Sequence, residues 1–154
     1  MKTYPGYFRP ALHAVMWNVL LSGLALLPGA IHMRWEWSVP WHLSSGTRVW
    51  VAAWHAASFM AMLMLTGAVW TVHVRAGWVR RENIVSGVGL LAAFGLLALS
   101  GLGLYYAGGE TLPVWSLAAH LGAGGLAVLF YVWHRHGARK AEQRSWPNWV
   151  TPRV

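Results

Sequence analysis

Four stretches of this chain are each long and apolar enough to cross a bilayer as a helix, and they fix what it can fold into. They run over 11–31, 49–73, 84–107 and 114–134. About 20 apolar residues at a rise of about 1.5 Å each span the hydrocarbon core. Inside lipid every backbone N–H and C=O needs an internal partner, so such stretches become helices. The connections between them are too short to hold a soluble catalytic domain. The expected fold is all-α: one integral membrane domain over 1–154, built as a four-helix bundle.

Charge sets the orientation. Lys2, Arg9, Arg75, Arg80, Arg81, Arg135, Arg139, Lys140, Arg144 and Arg153 fall on one side of the predicted spans, and only Arg34 and Arg48 on the other. Loops rich in Lys and Arg stay in the cytoplasm, so both termini are expected there. The same distribution explains the formal net charge of +8 as membrane topology, so nucleic acid is not an expected partner. Lipid is. Trp35, Trp37, Trp41, Trp50, Trp78, Trp115, Trp133, Trp146 and Trp149 sit at or beyond span ends, where the indole suits the headgroup zone. The first span has a basic lead but lacks a small-residue cleavage site, and is read as a retained helix.

Cysteine is absent, which excludes thioether-linked haem, cysteine-ligated iron–sulfur clusters and disulfides. Acidic residues are few. Asp is missing, and Glu36, Glu82, Glu110 and Glu142 all lie outside the spans, which argues against a carboxylate proton relay. Histidine is left as the natural metal ligand.

The fourth span carries His120 and His134, fourteen residues apart. At 100° and 1.5 Å per residue they return to within about 40° of one direction and are separated by about 21 Å. Both therefore lie on one face, one near each membrane surface. His55 enters the second span at the depth of His120, and His13 enters the first at the depth of His134. The expected pairs are His55 with His120 and His13 with His134. Haem iron takes two axial imidazoles from opposite sides, and bundle cores build such sites from facing helices. Two haem b groups are thus expected, with His13, His55, His120 and His134 as iron ligands. His73 lies eighteen residues after His55, about 6 Å more rise than the spacing on the fourth span. It is therefore expected, with Arg75, near a quinone or a haem propionate, the alternative being that it replaces His13 as the partner of His134. His32, His42 and His136 read as interfacial residues. Gly124 and Gly125, one turn after His120, serve either close helix approach or clearance for a flat macrocycle.

The segments RPALHAVMW, VAAWHAASF and AAHLGAGGLAVLFYVWH, with a third span free of histidine, make the chain similar to a known group. It resembles the bacterial four-helix di-haem b-type cytochromes, the membrane subunits of respiratory formate dehydrogenases and nickel–iron hydrogenases, and related stand-alone b-type cytochromes. The resemblance covers the whole chain, with His73 extra to the pattern. It implies a subunit that passes electrons between a periplasmic oxidoreductase or iron–sulfur partner and the quinone pool. The competing readings are a stand-alone quinol oxidoreductase, and a non-redox scaffold or metal-binding subunit.

Overall fold

A computed structural model describes residues 5–81 and 83–145. Lys2, Glu82, Trp146, Trp149 and Arg153, used in the reading above, lie outside the described residues. Those residues are all-helical, in the order α1 (Phe8–Trp35), α2 (Ser45–Val69), a π-helical turn (Trp70–Val74), α3 (Arg75–Arg80), α4 (Ile84–Tyr106) and α5 (Thr111–Ser145). Four of these helices are long and apolar enough to cross a membrane, which makes this a multi-pass membrane protein.

The helices begin and end where local chemistry dictates. Pro10 and Pro113 fall in the first turns of α1 and α5, where a missing N–H removes no helical bond. Pro28 sits deeper in α1, a position that membrane helices tolerate. Ser44 caps α2 through its hydroxyl, which accepts the Thr47 N–H and lies 2.9 Å from Thr47 Oγ1. α1 stops where Glu36 turns left-handed, at φ 57°. Asn83, left-handed at φ 53°, leads into α4. α5 continues past the apolar span, because hydropathy marks only the lipid-embedded part of a helix.

Two compact units make up the chain, residues 1–72 and 73–154. In the first, α1 packs on α2; in the second, α4 packs on α5. Most of what is buried is small, namely Ala93, Ala123 and Ala127 with Ser22, Ser58, Ser86, Ser100 and Ser116, and the larger buried side chains include Met62, Pro113 and Leu117. What faces outward is large and apolar, including Leu99, Leu129, Met64 and Trp50. A water-soluble fold has the opposite arrangement. In lipid, small residues bring backbones together and outward Leu costs nothing.

Candidate functional site: three seated imidazoles and a facing pair

The second unit is held in register by two hydrogen bonds of one kind. His120 Nδ1 lies 3.0 Å from Ser100 Oγ, and His134 Nδ1 lies 3.0 Å from Ser86 Oγ. Fourteen residues separate the serines on α4 and fourteen separate the histidines on α5, so both bonds belong to one antiparallel alignment. Glycine follows each serine. A Cβ on Gly101 would come 3.6 Å from His120 Cε1, and one on Gly87 would come 3.5 Å from His134 Cε1. At two other levels, one between these and one beyond Ser100, α4 and α5 touch more closely. A Cβ on Gly89 would come 2.5 Å from Phe130 Cε1, and one on Gly103 would overlap Ser116 Oγ.

The first unit repeats the motif once. His55 Nδ1 on α2 lies 2.9 Å from Ser22 Oγ on α1, and a Cβ on Gly23 would come 3.1 Å from His55 Cε1. His13 is also engaged at Nδ1, but within its own helix, 2.8 Å from the Arg9 carbonyl. Beside the Ser22–His55 contact, Trp54 Nε1–H donates to Asn18 Oδ1 at 3.2 Å.

The serine protons are already committed. Ser22 donates to the Asn18 carbonyl at 2.5 Å, Ser100 to the Leu96 carbonyl at 2.6 Å and Ser86 to the Asn83 carbonyl at 3.1 Å. A hydroxyl has a single proton, so each serine meets its imidazole with a lone pair and the ring must donate from Nδ1. The remaining proton-free nitrogen is Nε2. That is the tautomer of a metal-ligating histidine whose other ring nitrogen is anchored.

His73 lies beside His134. Their Nε2 atoms are 3.3 Å apart, and the rings meet edge-on at 70° with centroids 5.6 Å apart. The π-helical turn at Trp70–Val74 contains His73. Such a turn bonds i to i+5 and so takes more residues than an α-turn. The extra residue of such a turn takes back only about 1.5 Å of the expected mismatch of about 6 Å, so the place of His73 beside His134 rests on the observed contact and not on regular helix spacing. Arg75, expected near it, is exposed as the first residue of α3.

Other expected residues serve local structure. His32 and His42 stack with centroids 5.2 Å apart and planes 11° apart. Their Nδ1 atoms lie near the Trp37 and Leu43 carbonyls, at 3.1 and 3.2 Å, so they organise the connection after α1. Arg135 donates to Tyr131 Oη at 3.2 Å. A Cβ on Gly124 or Gly125 would meet nothing within 4 Å, so packing of α5 on α4 does not require these glycines. The serines are what the sequence reading missed. Their signal was present: LSGLAL, VSGVGL and LSGLGL recur at 21–26, 85–90 and 99–104.

Two facing imidazoles are the ligand type that a haem iron takes, and His73 with His134 is such a pair. A structural zinc site needs about four protein ligands. Among the described residues no three His, Cys, Asp or Glu side chains gather closely enough to hold an ion. No protein-family model, curated protein or solved structure matches the chain significantly. The class that the fold defines is therefore an all-helical, multi-pass membrane protein, and its chemistry must be argued from these histidines.

Proposed function

We propose that the chain is a di-haem b-type cytochrome of the bacterial inner membrane, with both termini cytoplasmic. In this reading His55 and His120 ligate one haem, and His134 ligates the second together with His73. Its role is to carry electrons between a periplasmic oxidoreductase or iron–sulfur partner and the quinone pool, as the membrane subunit of a respiratory complex. A bound haem b supplies a one-electron carrier whose potential is set by ligands and surroundings. The chain's own residues present imidazole Nε2 atoms, hold their orientation from the far side, and keep the carriers in a low-dielectric setting.

The observation that carries the proposal is the facing of His73 Nε2 and His134 Nε2 at 3.3 Å, with His134 anchored at Nδ1 by Ser86. As they stand the two rings share one hydrogen bond, Nε2 to Nε2, at an exposed position, and these are the same nitrogens that an iron between them would take. That contact also favours His73 over His13 as the partner of His134.

The test is a reduced-minus-oxidised spectrum with a haem-to-protein ratio, on the purified full-length chain and on His73→Ala, His13→Ala and His134→Ala. The expected result is two non-covalent haems per chain, reduced to one by His134→Ala and by His73→Ala and unaffected by His13→Ala. Loss through His13→Ala instead would restore the pairing of His13 with His134. A parent chain that takes up no haem when haem is supplied ends the cytochrome reading.

A further inference from the structure

The three serine–glycine dipeptides form one device used three times. Each serine spends its proton on a carbonyl of its own helix and turns a lone pair toward an imidazole of the next one. Each following glycine lies under the ring's Cε1, at 3.1, 3.5 and 3.6 Å from the place its Cβ would occupy. All three serines are buried, at 8, 3 and 6% exposure for Ser22, Ser86 and Ser100. A buried hydroxyl inside an apolar span is costly without partners, and these have partners on both sides.

We propose that Ser22–Gly23, Ser86–Gly87 and Ser100–Gly101 are imidazole seats: positioning residues that set the Nδ1–H tautomer and ring orientation of His55, His134 and His120. The use of these seats to present iron ligands rests on the cytochrome reading; the seating itself does not. Two of the seats lie on α4, which carries no histidine. That helix is therefore the template for both ligands of α5, and its serine spacing sets theirs.

The seats also set electronic character. A partner at Nδ1–H makes the ring a more basic ligand, and a hydroxyl that has spent its own proton is such a partner. Its removal makes the imidazole less electron-donating and favours the reduced metal. Ser100→Ala should then raise the midpoint potential of one haem and leave the other in place, and Ser86→Ala should do so for the other haem alone. Ser100→Thr keeps an acceptor oxygen and should match the parent.

The deciding experiment pairs two readouts on the full-length chain with 15N-labelled histidine. Produced in a haem-deficient host, the chain is examined by NMR for the tautomer of each ring. Loaded with haem, it is titrated for midpoint potentials and haem content. Ser100→Ala is expected to move one histidine toward the Nε2–H form and to shift one potential upward, with Ser100→Thr unchanged. If Ser100→Ala yields no folded protein, Ser22→Ala and Ser86→Ala carry the same test on His55 and His134. Tautomers and potentials that ignore all three serines, in a chain holding two haems, overturn the seats and leave the cytochrome reading standing. A chain that binds no haem but shows the tautomer change does the reverse.

Discussion

Gly89→Ala should destabilise the second unit, and the amount follows from the packing of α4 on α5. The added methyl carbon would stand 2.5, 2.7 and 2.7 Å from Phe130 Cε1, Cδ1 and Cζ, where carbon atoms settle at about 3.5–4.0 Å. The Phe130 ring must therefore retreat by about 1 Å. Retreat is hindered, because the ring also stacks on Trp133, with centroids 6.0 Å apart and planes 21° apart. Overpacking of this kind costs about 1–3 kcal/mol, offset by up to about 1 kcal/mol from replacing a mid-helix glycine with alanine. The net loss lies between about 0 and 2.5 kcal/mol on these two terms. Gly95→Ala is the control, since a Cβ there meets nothing within 4 Å, and it should hold or gain stability. The assay is unfolding of purified protein in mixed micelles, followed by loss of helical signal for parent, Gly89→Ala, Gly95→Ala and Gly89→Ala/Phe130→Ala. The double variant should recover part of the Gly89→Ala loss, as expected for residues in contact. Equal stabilities for Gly89→Ala and Gly95→Ala would refute the close approach of α4 to Phe130.

Further outcomes follow from other contacts. Deleting Trp70 should remove the extra residue that the π-helical turn takes up, return the segment to regular α-helix and shift His73 from its place beside His134. In the cytochrome reading this removes one haem and spares the other, which a haem-to-protein ratio reads directly. Gly23→Ala should disturb its histidine more than Gly101→Ala, since 3.1 Å is tighter than an ordinary carbon contact and 3.6 Å is not; haem affinity or the His55 ring signals would register the difference. Trp54→Phe removes the hydrogen bond to Asn18 and should cost about 0.5–1.5 kcal/mol in the same unfolding assay.

The spans were legible because lipid leaves the backbone few options. Predicted limits of 84–107 correspond to Ile84–Tyr106, and the other helices differ where they leave the apolar zone, as α5 does beyond His134. The depth of each candidate histidine within its own helix was legible, since an α-helix converts residue number to height. For His73 the sequence left two partners of His134 open, and the π-helical turn that contains it is announced by nothing in WTVHV. The serine contacts were hidden for a different reason. A serine in a membrane helix ordinarily returns its proton to its own backbone, and these do so. Only the neighbouring helix reveals that the lone pair is in use as well.

The equal fourteen-residue spacings on α4 and α5 make a lock with two pins. Sliding one helix along the other by a single turn, the commonest slip for smooth apolar surfaces, would withdraw both serines from both imidazoles together. A slide by the full fourteen residues would re-engage only one. The second unit thus has a single alignment that satisfies all four side chains, and the separation of its two imidazoles is dimensioned by the hairpin rather than by anything it binds.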